Sequence, residues 1–450
     1  GALIAISLLL PITYHLPTTG AIIMLAGVYF GADYGGGTCS ILLGIPGHAA
    51  AAVDVLDGYP MTKKGRGGVA LFIKAISAFS GSLFGILLLI AFAPLIARWA
   101  LAFGPSEYVA LIMLGLIAAS TIGQGTPIKG LAMMLLGLLF GTVGTDVNTG
   151  ISRFNFGMPE LLDGFSLIAM VMGLFALTEV IKGVSSSGLT VGDLSFKLRS
   201  QLPTRRDWAR IIPAIFRGAS LGSLFGALPG TSGGMATFFA YGVEKRISKT
   251  PEEFGNGAVE GLAAPEACNN AGVGTAFIPT LTLGIPGDPI MALMLGALMI
   301  QGIQPGPAVI TGHPDLFWGL VVSFFIGNFI LLLFNIPLIG LWTRILQIPY
   351  HVLIPSILLF SCLGVLSEKG SVFDIYILIF FGVLGYLLWL LELDPIPMLL
   401  GYVLGPMLEE NFRRAMLVSD GNFLIFLTRP ITGVISLLTV TFLVFITVKG

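Results

Sequence analysis

The sequence predicts an all-α polytopic membrane protein, organised as an inverted-topology repeat with re-entrant or broken helical hairpins. Three observations carry this. Apolar residues make up 55% of the 450-residue chain and charged residues only 10%, against roughly 25% in soluble domains. The mean hydropathy is +0.93. The pentapeptide LGIPG occurs twice, at Leu43–Gly47 and Leu283–Gly287, with 240 positions between the copies. A soluble chain of this length could not cover its surface with so few charges. Beta-barrel alternation is absent, and a net charge of −1 implies no charge-driven partner such as nucleic acid.

Each apolar element follows from length. The runs Leu71–Ala97, Leu161–Ile181, Leu316–Trp342, Val372–Leu391 and Ile431–Val448 approach or exceed the ~20 residues that span a bilayer. With the shorter runs, about 11–13 membrane segments are expected at that spanning length. The chain opens in the apolar stretch Ala2–Leu10 with neither Met nor flanking charge, and the natural N-terminus is expected to lie further upstream.

The duplication extends beyond the signature. Pro105-Ser-Glu-Tyr-Val opens an apolar stretch that ends near Gly144-Thr145-Asp146. Pro349-Tyr-His-Val-Leu opens a similar one that ends at Glu392-Leu393-Asp394. The offset drifts from 240 to 244 to 248 along the chain. Residues 1–182 and 211–450 therefore read as two copies of one unit. The polar segment 183–210 joins them; it carries Lys197, Arg199, Arg205, Arg206 and Arg210, and the positive-inside rule makes it cytoplasmic. The basic cluster Lys63-Lys64-Gly-Arg66 follows the first LGIPG, whereas Lys245-Arg246-Ile-Ser-Lys249 precedes the second. With both clusters cytoplasmic, the two signatures enter the membrane with opposite polarity.

Pro and Gly break helices, because Pro lacks an N–H and Gly a Cβ. Irregular backbone at membrane depth survives only where it lines a cavity or is buried in protein. Paired interruptions in two halves point to a transporter's substrate site. Tyr34-Gly-Gly-Gly-Thr-Cys-Ser40 leads into the first signature and Asn269-Asn-Ala-Gly-Val-Gly-Thr275 into the second. Each is read as a short re-entrant run of about two helical turns, too short to span. Gly lets a ligand approach the backbone, and half-helix N-termini attract anions. Thr38, Ser40, Asn269, Asn270 and Thr275, with backbone positions Gly36, Gly37, Pro46, Gly47, Pro286 and Gly287, are the substrate candidates. Unwound carbonyls with hydroxyl oxygens suit Na⁺. Gly44, Thr282, Gly284 and Glu266 are the ion candidates, with Thr231 and Ser232 from a third interruption, Leu228-Pro-Gly-Thr-Ser-Gly-Gly234. The alternative for Gly-rich segments is close helix packing.

Other acids near the motifs are Asp33, Asp54, Asp57, Glu260 and Asp288. Asp54 and Asp57, beside Gly58-Tyr59-Pro60 and the basic cluster, are expected in a solvated cytoplasmic loop. Glu409-Glu410 with Arg413-Arg414 reads as an interfacial charge cluster. The candidate site is read as lacking Lys and Arg, so backbone amides, Thr, Asn and a co-bound cation would compensate a carboxylate ligand. Cys39, Cys268 and Cys362 are read as small apolar residues, and the four isolated His make no metal set. No Walker A, GxSxG or HExxH motif is present, so neither an ATPase nor an enzyme is expected, and no cofactor.

The chain resembles the large membrane subunit of the tripartite tricarboxylate transporters, the TctA family. The matching stretches are Tyr34-Gly-Gly-Gly-Thr38 with Leu43–Gly47, Leu56-Asp-Gly-Tyr-Pro-Met-Thr-Lys-Lys-Gly-Arg66, Gly226-Ala-Leu-Pro-Gly230 and Tyr241-Gly-Val-Glu-Lys-Arg246. The longest runs from Pro251 through Ala264-Pro-Glu-Ala-Cys-Asn-Asn270, followed by Pro279 with Leu281-Thr-Leu-Gly-Ile-Pro-Gly287, Gln304-Pro-Gly-Pro307 and Leu404-Gly-Pro-Met-Leu-Glu-Glu-Asn411. The resemblance covers essentially the whole chain. Cys39 and Cys268 depart from the Thr or Ser and the small residue expected there. The resemblance implies a translocation subunit of the bacterial inner membrane. It works with a small membrane subunit and a periplasmic binding protein, and takes up citrate or other di-, tri- or aromatic carboxylates on an ion gradient, usually Na⁺, by an elevator-like motion. An autonomous antiporter or channel is the alternative.

Overall fold

The structure, a computed structural model, describes residues 2–44, 48–100, 103–120, 126–146, 149–183, 202–228, 233–336 and 350–449. Most of the joining segment therefore lies outside the described residues, as do Pro46, Gly47, Thr231 and Ser232.

The described chain is almost wholly helical. The first half contains α1 (Ala2–Leu9), α2 (Thr18–Leu43), α3 (Asp54–Lys63), α4 (Gly67–Ala100), α5 (Pro105–Ala119), α6 (Pro127–Gly141), α7 (Leu167–Val171) and α8 (Thr178–Gly183). A π-helical turn, Met172–Leu177, joins α7 to α8. The second half contains α9 (Arg205–Ala227), α10 (Gly233–Ile247), α11 (Val259–Leu283), α12 (Pro289–Ile300), α13 (Ala308–Gly312), α14 (Pro314–Asn335), α15 (Tyr350–Lys369), α16 (Val372–Leu390), α17 (Ile396–Val418), α18 (Ile425–Thr428) and α19 (Pro430–Lys449). A two-stranded antiparallel ribbon, β1 (Gly144–Thr145) with β2 (Ser152–Arg153), caps α6. Among the described residues, α4, α14 and α16 are long and apolar enough to cross a membrane, and several shorter apolar helices accompany them.

Local chemistry sets the boundaries. Pro occupies the first turn of α5, α6, α12, α14 and α17, where its missing N–H costs nothing. Thr204 and Asp207 form a reciprocal capping box at the start of α9. At the two signatures the helices stop on Gly44 and Gly284, with φ of 70° and 69°. That left-handed conformation is open to Gly and strained for other residues.

One expectation is corrected here. The Gly-rich and Asn-rich entries are not short re-entrant runs. They are interior turns of α2 and α11, which are 26 and 25 residues long. Gly and Asn are poor helix formers in isolation, and packing overrides that propensity.

α11 is the centre of the fold. It packs along α9 on one side and α4 on the other, with α10 adding a third neighbour. A Cβ at Gly218, Gly222 or Gly226 on α9 would overlap the carbonyl oxygens of Ala264, Cys268 and Gly272. Gly81 and Gly85 on α4 meet Ala267 and Ala271 in the same way. Glycines four residues apart let the backbones approach closely, as small-residue helix contacts do in membranes. Across the two halves, α11 lies against α4, and α2 lies against α14. Likewise α6 packs on α17, while α16 packs on α7 and the π-helical turn. The largest apolar core joins both halves around Tyr29, Phe30, Phe277 and Phe324.

Candidate functional site

Helices α2, α3, α4 and α11 meet at a buried polar cluster. Lys74 of α4 is 1% exposed. It lies in the apolar run that reads as a membrane span, so it must find its partners inside the protein. Its Nζ donates to the Tyr34 carbonyl and, at 2.9 Å, to Thr38 Oγ1. The Tyr34 ring centroid lies 4.0 Å from the ammonium. A Cβ at Gly37 would overlap the Glu266 carboxylate, the Lys74 stem and the Asp54 carboxyl together. Gly37 is thus the space into which the three charged side chains converge. Asn270 completes the group, donating from Nδ2 to Glu266 Oε2 at 3.2 Å and to the Glu266 carbonyl at 2.9 Å.

Two readings of the sequence change as a result. The site is not free of basic residues, because Lys74 bonds Thr38. The signal was present in the sequence: a lone Lys near the start of an otherwise apolar span is functional by default. Asp54 and Asp57 are not in a solvated loop; they are 3% and 0% exposed. They face inward because α3 folds back against α2 and α11. Asp57 Oδ1 accepts the backbone N–H groups of Gly255, Gly257 and Ala258 at 2.9, 2.7 and 2.9 Å, fixing the turn that enters α11. Burial still pushes the Asp57 carboxyl above the ordinary carboxylate range, despite those donors.

Beside this cluster lies a cavity of about 1010 Å³. Asp33 and Tyr29 of α2, Asn269 and Cys268 of α11, and the start of α10 at Gly233 and Gly234 line it. So do His48, Gly287 and Asp288, which follow or close the two signatures. Asn269 Nδ2 donates to Asp33 Oδ2 at 2.5 Å. His48 Nε2 lies 3.0 Å from the Asp33 carbonyl and 3.4 Å from its Oδ1. Tyr29 Oη donates to Asp288 Oδ2 at 2.6 Å. Asp288 Oδ1 in turn accepts from the Ile290 and Met291 amides at 2.8 and 2.9 Å, capping α12.

The other candidates divide. Gly36 packs against the His48 ring, and Thr38 belongs to the Lys74 cluster. Ser40, Thr275 and Thr282 are buried and turn their hydroxyls back to carbonyls of their own helix. Thr275 also faces Gly226 of α9. Gly44 packs on the Tyr59 ring and Gly284 on Pro305, and Pro286 is buried. The structure therefore brings Gly36, Asn269 and Gly287 to the cavity or its edge, and Gly37, Thr38, Glu266 and Asn270 to the charged cluster. His48, Asp33, Tyr29 and Lys74 are contributors that the motif reading did not assign.

These features define a multi-pass α-helical membrane protein in which two helices end at matched signatures beside a cavity that carries polar side chains from both. The chain belongs to the tripartite tricarboxylate transporter TctA family, which matches residues 1–400. It is 46% identical over 434 residues to an Agrobacterium vitis protein described as an uncharacterized 52.8 kDa protein in the TAR-I ttuC' 3' region, covering 96% of this chain and 86% of that one. A second Agrobacterium vitis protein, described as an uncharacterized protein in the TAR-II ttuC' 3' region, is 53% identical over 212 residues, covering 47% of this chain and 88% of that one. No solved structure matches the chain.

Proposed function

We propose that this chain is the translocating subunit of a binding-protein-dependent secondary transporter in the bacterial inner membrane. It imports tricarboxylates such as citrate, or related carboxylates, on an ion gradient, with Na⁺ the coupling ion. A small membrane subunit and a periplasmic binding protein are its partners. The observation that carries this is the convergence of both halves on one cavity, which His48 lines after the first signature and Gly287 and Asp288 line at the second. The packing of α11 on α4 and α2 on α14 supports an inverted repeat, whose two arrangements give alternating access. The start of α10 at Gly233 and Gly234 lines the cavity and brings a positive dipole end for an anion. Lys74 with Asp54 and Glu266 forms a charged cluster that a co-transported cation can balance.

The test is uptake of labelled citrate into proteoliposomes containing this chain and its small subunit, with the binding protein outside. Uptake that needs both the binding protein and a Na⁺ gradient supports the proposal. Na⁺-driven uptake of another carboxylate changes only the substrate. A gradient-independent leak points to a channel. An elevator-like movement of α2 and α11 predicts that crosslinking them to α14 or α16 stops transport; transport that survives such crosslinks removes the elevator.

A further inference from the structure

We propose that the adjoining ends of α9 and α10 form a binding surface for anionic phospholipid headgroups of the cytoplasmic leaflet. It stands on the membrane-protein reading alone and is independent of what is transported. Each helix turns one stripe outward. On α9, Arg205, Ala209, Ile212, Phe216, Ser220 and Leu224 are exposed and step by three or four residues, so they share a face. On α10, Met235, Phe238 and Phe239 are exposed, and Lys245 and Arg246 follow two turns further along the same face. The two helices run antiparallel at this point. Arg217 Nε of α9 donates to Glu244 Oε2 of α10 at 2.9 Å, and Arg210 Nη2 donates to Thr250 Oγ1, just past α10, at 3.1 Å. The first turn of α9 and the last turn of α10 therefore lie side by side. They carry Arg205, Arg206, Lys245 and Arg246, with Lys249 just beyond.

The protein does not balance the charge at this end. Its acids are already engaged: Asp207 by Arg66, Glu244 by Arg217, and Glu253 and Glu260 by Arg210. Arg205, Arg206, Lys245, Arg246 and Lys249 are exposed and form no ion pair among the described residues, while Glu252 is an exposed acid left nearby. The apolar part of each stripe suits acyl chains, and the cations stand where it ends. Long Arg and Lys stems lie along such a surface while their charged tips reach the headgroup phosphate. A zwitterionic headgroup brings a cation of its own into that row, so an anionic one is preferred. The positive-inside rule puts both clusters on the cytoplasmic side, where the leaflet surface is negative. An acidic protein segment would use the cations and leave the apolar stripes uncovered, so the two features together favour a lipid.

The test is thermal unfolding of the full-length protein in a neutral detergent, titrated with phosphatidylglycerol, phosphatidylcholine or inorganic phosphate. Phosphatidylglycerol is expected to raise the midpoint at a clearly lower half-saturating concentration than phosphatidylcholine. Arg205→Gln with Arg206→Gln, and separately Lys245→Gln with Arg246→Gln, are each expected to raise that concentration roughly tenfold or more, because each loses two headgroup-facing charges. The response to phosphatidylcholine stays unchanged, and Arg205→Lys with Arg206→Lys keeps the preference. Equal half-saturation by the two lipids in wild type overturns the proposal. A phosphatidylglycerol preference that survives both double substitutions overturns it too. The same shift from inorganic phosphate assigns the surface to a free anion, and loss of the small subunit with the lipid preference intact assigns it to a protein; both overturn it. Should one double variant fail to fold, the other and the comparison of lipids on wild type still decide.

Discussion

Tyr29 and Asp33 stand one helical turn apart on α2, and each holds the residue that follows one of the two LGIPG signatures. Tyr29 bonds Asp288 at 2.6 Å, and Asp33 contacts His48 through both its carbonyl and its carboxylate. Residues four apart share a helix face. A single face of α2 therefore pins the chain just beyond both breaks, and the two halves of the protein are registered against each other there.

Lys74 is expected to be essential for assembly. Removing one partner of a buried charge cluster typically costs about 3–5 kcal/mol, because the remaining charges are left uncompensated. Lys74→Met should lower the amount of protein in the membrane sharply. Adding Glu266→Gln should restore part of it, since the second change removes a stranded carboxylate. Quantitative blotting of membrane fractions checks both; equal losses in the single and double variants would exclude the charge-pair account.

Asn270→Ala is expected to reduce uptake far more than abundance. Its amide holds Glu266 in place, and hydrogen bonds to charged groups are worth about 1.5–3 kcal/mol. That corresponds to roughly tenfold to a hundredfold in transport rate if the carboxylate must be held for the cycle. Equal loss of transport and protein would assign Asn270 to packing.

Gly222→Val should prevent stable folding, because any Cβ there overlaps the Cys268 carbonyl of α11. Gly242→Ala on α10 is the contrast, with nothing within 4 Å of the added carbon. Size-exclusion profiles of the two variants in detergent decide it. A monodisperse Gly222→Val protein would show that α9 can withdraw from α11.

Asp57→Ala should loosen the turn before α11. Three backbone N–H groups lose their acceptor. Limited proteolysis is expected to cut within residues 248–258 faster than in wild type, with the helical content unchanged. An unaltered cleavage pattern would mean that Tyr241 and Phe254, packed edge to face, hold the turn without the carboxylate.

The α-helical membrane class was legible in the sequence because it depends on composition and on runs of apolar residues, which are local properties. The matched breaks were legible too, since Gly and Pro punctuate helices wherever they occur; Gly44 and Gly284 do end α2 and α11 with positive φ. Glu409 pairs with Arg413 and Glu410 with Arg414 within the charge cluster, Arg413 extends it to Asp146, and Arg153 joins it through Glu409.

What the tertiary structure decided was which polar residues meet. Tyr34–Ser40 and Asn269–Thr275 look like helix breakers in isolation. In the fold α11 packs closely on glycines of α4 and α9, and Gly36 and Gly37 of α2 leave room for the His48 ring and the charged cluster, so both segments stay helical. Asp54 looks solvated beside a basic cluster until α3 folds back over Gly37. Lys74 looks like one charge in an apolar run until Thr38, Asp54 and Glu266 are brought around it. Asp33 and Asn269 are 236 residues apart in sequence and 2.5 Å apart in space. Pairing at that separation is set by which helix faces pack together, and a linear sequence carries helix faces but not their partners.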